Sequence, residues 1–243
     1  MQRLSQRVLL LSGWRRALVA LLAGAFTTLT LAPFHLFFVG FLTIPVLVWL
    51  LDGAVGSAEA GRYARLRPSF FVGWWFGFGY FVAGLWWISN ALLVEAPEFA
   101  WAIPLAVLGL PALLAFFYAF ATAAARTLWS DGLARIFVLA AFFGVAEWLR
   151  SFLFTGFPWN AIGYGILPTP LMMQSVAMTG ADAINMLAVL LFALPAGFVA
   201  SRLSAALSAF LIVALLGTQV GFGYWRLNIE PDAENESQVL RLV

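Results

Sequence analysis

Glu147 and Arg150 stand three residues apart near the end of an otherwise apolar run, Ile136 to Phe154, and the chain then passes through Thr155-Gly156-Phe157-Pro158-Trp159-Asn160. A charged side chain at bilayer depth costs roughly 2.5–3.5 kcal/mol on insertion scales, so it faces protein or a wet cavity and marks a functional suspect. At this spacing on a helix the two side chains share a face and can pair. Two chemistries fit. The pair can tie two spans together, or Arg150 can offer its forked donors to a lipid phosphate or ester oxygen while Glu147 orients it. Trp159 also has two readings. It is an interfacial belt tryptophan, or a ring aimed at one place because Pro158 fixes the turn and Gly156 admits a close backbone approach.

Other polar groups within apolar stretches are Asn90, Asn160, Gln174 and Asn185. Each reads most simply as a helix-to-helix hydrogen bond, worth on average ~0.6 kcal/mol in a membrane. Gly73 with Gly77, and Gly217 with Gly221, are small-xxx-small pairs that read as packing faces. His35 is the single histidine, and position 40, where a His-x4-Asp acyltransferase motif needs its aspartate, is Gly40. No Gly-x-Ser-x-Gly elbow, phosphate loop or metal-ligand cluster is present. Cysteine and lysine are both missing, so no thiol nucleophile, disulfide or thiolate metal site can form. The 243 residues therefore hold no complete catalytic constellation, and no cofactor or metal is expected.

The elements that position these residues follow from composition. The chain is 63% hydrophobic and 10% charged, with eleven tryptophans. Apolar runs of about 20 residues, each able to cross a ~30 Å hydrocarbon core as a helix, recur along it. Seven are read: Ala17–Leu31, Leu36–Leu51, Phe70–Leu92, Ala102–Ala125, Ile136–Phe154, Ala183–Ala200 and Ala205–Tyr224. The first could pass for a signal peptide cleaved at Ala23-Gly24-Ala25, but the second run follows Pro33 so closely that a transmembrane hairpin is the better reading. With the N-terminus inside, ten of the thirteen arginines fall on the inner side and only Arg150, Arg226 and Arg241 outside, which sets the orientation by the positive-inside rule. No basic stripe suited to nucleic acid is seen.

The outer stretch Thr155–Asp182 is too apolar for a solvated loop, and irregular backbone survives at such depth only when buried in protein or lining a cavity. Thr179 and Asp182 read as a capping box opening the sixth span. After Tyr224 the composition turns polar, and Val239-Leu240-Arg241-Leu242-Val243 reads as a first strand. The expected organisation is a helical membrane domain over 1–225 and, over 226–243, a linker leading into a second domain.

Several of these segments resemble the apolipoprotein N-acyltransferases of bacterial inner membranes: Leu31-Ala32-Pro33-Phe34, Gly73-Trp74-Trp75-Phe76-Gly77-Phe78-Gly79 with Gly84 and Trp87, and above all Glu147-x-Leu149-Arg150 followed by Thr155-Gly156-Phe157-Pro158-Trp159. Gly163-Tyr164, Gln174, Gly180 and Ala183-Ile184-Asn185 continue the likeness, and Leu240–Val243 is similar to the start of that family's second domain. The resemblance implies an all-α, polytopic transmembrane helix bundle of about seven spans, cut before a nitrilase-like α/β domain. It also implies transfer of an acyl chain from a phospholipid to the α-amino group of a lipoprotein's diacylglyceryl-cysteine, through a thioester on a Glu, Lys and Cys triad. Since Lys and Cys are missing, no catalytic residue is expected in this chain. Glu147, Arg150, Phe157, Pro158, Trp159, Tyr164 and Asn185 are carried over as substrate-contact or support positions. The implied partners are a phospholipid donor, a diacylated apolipoprotein acceptor and the membrane, without nucleic acid. The implied placement is the inner membrane, N-terminus cytoplasmic and C-terminal end periplasmic. A transporter or a noncatalytic membrane anchor is the competing reading, although no internal repeat of the transporter kind is found.

Overall fold

The computed structural model describes residues 2–56 and 61–229. Among them are eleven α-helices and no strand: α1 Gln2–Leu9, α2 Gly13–Thr27, α3 Gly40–Asp52, α4 Arg62–Leu85, α5 Ser89–Leu93, α6 Ala96–Phe99, α7 Leu110–Thr127, α8 Ala134–Phe152, α9 Pro170–Met173, α10 Val176–Ala193 and α11 Arg202–Leu227. The expected linker and strand after residue 229 lie outside the described residues.

Five helical stretches among the described residues are long and apolar enough to cross a bilayer: Tyr63–Leu93, Ala96–Thr127, Ala134–Thr155, Val176–Val199 and Arg202–Leu227. The two earlier runs form shorter helices, α2 with 15 residues and α3 with 13. Both fall below the ~20 residues of a perpendicular crossing, and are lengthened by 3-10 turns at Thr28–Thr30 and Phe37–Val39. The molecule is a transmembrane helix bundle that is apolar on its outside as well as in its core. Leu113, Phe120, Phe210 and Val213 point outward with 62–71% of their surface free, an apolar exterior that only lipid or a partner would cover.

Helix α4 is the central pillar. Apolar contact between helices gains little over contact with lipid tails, so close backbone approach and interhelical hydrogen bonds must hold the bundle. Both are seen. A Cβ placed on Gly79 would lie 2.0 Å from the Leu21 carbonyl oxygen, and one on Gly24 would lie 1.9 Å from that of Phe76, so α2 and α4 touch backbone to backbone. On the other side Gly73 makes room for Thr122, whose hydroxyl donates to the Ser69 carbonyl at 2.9 Å. The Gly73/Gly77 pair is thus a packing face against α7. Among the described residues the Gly217/Gly221 pair is not, since nothing there lies within 4 Å of where either Cβ would be.

Instead α11 is held at Ser208, Gln219 and Gly223, its only buried residues. Gln219 Nε2 donates to the Ile166 and Met172 carbonyls at 2.9 and 3.3 Å, and Gly223 meets the Leu171 backbone. Serine and glutamine lie on the face that carries Gly223, while the faces at 217 and 221 look away.

At one end of the bundle Asp52, the last residue of α3, accepts from Trp129 Nε1 at 2.9 Å and pairs with Arg135 at 3.1 Å. Arg126 donates to the Leu51 carbonyl and Arg16 to that of Gly53, at 3.2 and 2.8 Å. Arginine donors there satisfy the orphan carbonyls that a helix C-terminus leaves. The opposite end carries Glu147 and Arg150.

The middle of the apolar stretch after α8 is packed into the protein. Its 3-10 turn, Ile162–Ile166, buries Ile162, Gly163, Gly165 and Ile166, as irregular backbone in such surroundings must. Helix α10 begins at Val176 and breaks at Gly180, where φ is 78°. The expected Thr179/Asp182 capping box does not form. The Thr179 hydroxyl donates backward to the Ser175 carbonyl at 3.2 Å rather than accepting from Asp182, because the helix already runs before it.

Candidate functional site

The last two turns of α8 carry Glu147 and Arg150 on the face turned toward α4 and α7, where they are 2% and 1% exposed. Charges buried this deeply persist only when their donors and acceptors are matched. Arg150 Nη2 donates to Glu147 Oε2, and the other carboxylate oxygen accepts the Tyr118 hydroxyl of α7 at 2.5 Å. Arg150 Nη1 donates to the backbone carbonyls of Phe157 and, at 2.9 Å, Trp159. The guanidinium carbon lies 5.2 Å from the centre of the Phe81 ring on α4, a cation–π contact that strengthens when desolvated.

The Glu147–Arg150 pair therefore joins α4, α7 and α8 to the turn that follows α8. The turn requires such a hold. Phe154, Thr155 and Gly156 have φ of 54°, 74° and 82°, and a non-glycine residue in that region costs on the order of 1–3 kcal/mol unless its surroundings fix it. Phe157 N–H closes the loop on the Arg150 carbonyl at 2.9 Å.

Beyond the proline, Asn160 also takes a left-handed conformation, φ 51°, which asparagine tolerates better than most residues. Its Nδ2 donates to the Gly84 carbonyl at 2.6 Å, and the buried Tyr80 hydroxyl donates to the Asn160 carbonyl at 2.9 Å. Trp159 is thereby clamped at its own carbonyl and at its neighbour's, while its ring, 58% exposed, meets the Trp87 ring edge-on at 5.7 Å. A rigid backbone presents an exposed aromatic pair at the end of α4.

The structure thus brings Glu147, Arg150, Phe157, Pro158 and Trp159 into one cluster, with Pro158 exposed at its rim. Both Nη groups of Arg150 are bonded within the protein. Tyr164, 48% exposed, and Asn185 belong to the adjoining turn: Asn185 Oδ1 accepts the Gly163 N–H at 2.8 Å and fixes that turn to α10. Of the other polar suspects, Asn90 and His35 are exposed and Gln174 bonds only to the Pro170 carbonyl, at 3.1 Å.

Sequence reasoning missed Tyr80 and Tyr118. Both sit in aromatic-rich stretches, 74–81 and 116–120, where a ring gives no sign of its hydroxyl. The available signal was the hydroxyl, since a buried tyrosine needs a hydrogen-bond partner.

Comparison with known proteins follows the same residues. The family model described as "Apolipoprotein N-acyltransferase N-terminal domain" matches residues 23–194, which includes the whole cluster. The Apolipoprotein N-acyltransferase of Brucella suis biovar 1 (strain 1330) is 58% identical over 238 residues, covering 97% of this chain and 44% of that protein. That of Agrobacterium fabrum (strain C58 / ATCC 33970) is 54% identical over 243 residues, covering all of this chain and 46% of its own. The chain spans just under half the length of these curated relatives. The match of that family model over more than half of the chain, together with these identities, places the chain in the family of apolipoprotein N-acyltransferase N-terminal domains.

Proposed function

We propose that this chain is the membrane platform of a bacterial inner-membrane enzyme that moves an acyl chain from a phospholipid to the α-amino group of a diacylglyceryl-cysteine. In the reaction a thiolate attacks the phospholipid ester carbonyl, the alcohol leaves and a thioester forms. The substrate amine then attacks the thioester and the thiol departs. These residues contain neither cysteine nor lysine, so the thiol and the amine of the triad come from a nitrilase-like domain outside them, entered through the 226–243 segment. The platform's part is positional: both reactants are amphiphiles whose reactive groups lie at the interface, and holding them there converts an encounter into a near-unimolecular step.

The observation that carries this reading is the clamped turn. Buried Glu147 and Arg150 act as positioning residues that hold the Phe157–Trp159 backbone, and Trp159 with Pro158 forms the aromatic wall along which the lipid enters. Tyr164 and Asn185 support the adjoining turn. The arginine distribution favours a cytoplasmic N-terminus, with the Trp159 end facing the periplasm.

The test is acyl transfer by the full-length enzyme from labelled phospholipid to a diacylated lipopeptide. Trp159→Ala is expected to lower turnover without changing membrane insertion, whereas residues 1–243 alone insert but form no acyl-enzyme. An unchanged rate for the variant, or thioester on the isolated chain, overturns the reading.

A further inference from the structure

The end of the bundle away from Trp159, where α2, α4 and α11 begin and α3 ends, presents a cationic surface. Arg3 and Arg7 lie on the face of α1 opposite its buried Ser5 and Val8, and Arg15, Arg67 and Arg202 are exposed near the starts of α2, α4 and α11. Among the described residues the acids at this end are Asp52, which is paired with Arg135, and the exposed Asp131. The Trp159 end has the opposite balance, with Glu95, Glu98, Asp182 and Arg226 as its exposed charges among the described residues.

The arginines on α2 and α4 sit at one depth. Gly24 meets the backbone of Phe76 and Tyr80, and Gly84 meets Thr28, so the two helices run parallel and their register carries Trp14 to the level of Phe70 and Phe71. At that level Arg15 lies 5.7 Å from the centre of the Trp14 ring, and Arg67 lies 5.6 Å from that of Phe71. Both rings are exposed. An exposed ring with a guanidinium over it, repeated at one height on neighbouring helices, suits a bilayer interface, the ring at the acyl boundary and the cation at the phosphates. Helix α1 is fastened to the same end, since a Cβ on Gly53 would lie 2.0 Å from the Leu9 carbonyl oxygen. Exposed Leu4, Leu9 and Leu10 next to Arg3 and Arg7 give α1 the two-sided character of a helix lying among headgroups.

Three surroundings can be compared for this surface. Water leaves the leucines and rings uncovered, hydrocarbon strands the arginines, and zwitterionic headgroups leave their excess charge unmatched. Anionic headgroups satisfy all three demands. From the level arginine–aromatic pairs and the charge contrast between the two ends, we infer that the Asp52 end is a docking surface for anionic phospholipid. Its phosphates are held by Arg15 and Arg67 on α2 and α4 and by Arg3 and Arg7 along α1. The inference is independent of acyl transfer, because it concerns the leaflet opposite Trp159 and involves neither donor nor acceptor. Its consequence for the fold is one of height: α4 runs from this surface to the Trp87 end, so lipid gripped here sets the depth of the Trp87–Trp159 pair.

The chain holds no cysteine, so Ser12→Cys at the exposed start of α2 offers a single site for a bimane fluorophore. The labelled chain is placed in phosphatidylcholine nanodiscs doped with an equal fraction of either phosphatidylglycerol or phosphatidylcholine brominated near the glycerol. Quenching of the bimane then reports how far each lipid is enriched beside α2. Phosphatidylglycerol is expected to be enriched about fivefold or more over phosphatidylcholine, the scale of one arginine near a headgroup. The enrichment should largely vanish in about 1 M salt, where screening acts within ~3 Å. Arg15→Gln/Arg67→Gln should lower it by about fivefold or more, and Arg67→Gln alone gives a milder form of the same test. Arg15→Lys/Arg67→Lys keeps the charge and should keep the enrichment, and Arg226→Gln at the far end leaves it unchanged. Thermal midpoints equal to wild type show that these surface variants are folded. Equal quenching by the two lipids overturns the inference, as does enrichment that survives both glutamine variants. So does enrichment abolished by inorganic phosphate at constant ionic strength, which would make a soluble anion the occupant.

Discussion

Neutralising Glu147 while keeping its shape isolates the energetics of the clamp. Glu147→Gln leaves Arg150 charged and 1% exposed, facing an amide in place of a carboxylate. Breaking a buried ion pair on one side costs about 3–5 kcal/mol. For a chain of this length each kcal/mol shifts the thermal midpoint by about 2–4 °C, so the variant should unfold roughly 6–20 °C lower. Tyr118→Phe removes only one donor to a charged acceptor, worth about 1.5–3 kcal/mol, and should fall between wild type and Glu147→Gln. The double variant Glu147→Leu/Arg150→Met replaces the pair with apolar volume. It still strands the Tyr118 hydroxyl and the Phe157 and Trp159 carbonyls, each left unpaired at about 1–3 kcal/mol, so full stability does not return. Thermal unfolding in a mild detergent, followed by tryptophan fluorescence, ranks the four proteins. If Glu147→Gln unfolds at the wild-type temperature, the pair is not a structural clamp and the reasoning fails.

Two glycines give further checks. A Cβ on Gly84 would lie 2.4 Å from Asn160 Nδ2, so Gly84→Ala should break that hydrogen bond and release Trp159 from Trp87. An altered emission maximum with fold stability retained to within ~1–2 kcal/mol is expected, and an unchanged spectrum contradicts it. Gly79→Ala pushes against the Leu21 backbone at 2.0 Å, where no rotamer can yield. It should destabilise the bundle by 1–3 kcal/mol or more, as overpacking typically does, and wild-type stability would disprove the α2/α4 contact.

The bundle and the suspect pair were legible because each is a local signal. Apolar runs near the length of a bilayer crossing announce helices, and Glu147 with Arg150 announces itself by cost. The turn was legible from Gly156 and Pro158. What escaped is what those residues bind. Tyr118 reaches Glu147 from 29 residues away and Tyr80 reaches Asn160 from 80, and an aromatic among aromatics gives no hint of which hydroxyl points where. The α11 glycines misled for a related reason: small-xxx-small spacing reports a face that can pack, while the helix's rotation decides which face does. Thr179 misled because a threonine before an acidic residue looks the same whether its hydroxyl accepts forward or donates backward.

The attachment of α11 has a bearing on how the bundle is put together in a bilayer. A span fastened at Ser208, Gln219 and Gly223, with lipid-compatible surface elsewhere, forfeits little apolar contact while undocked, and what it lacks is a partner for the glutamine amide. It can therefore enter the membrane as an independent passenger and seat itself last, after Ile166, Met172 and Ser175 have been brought into place to receive the glutamine amide.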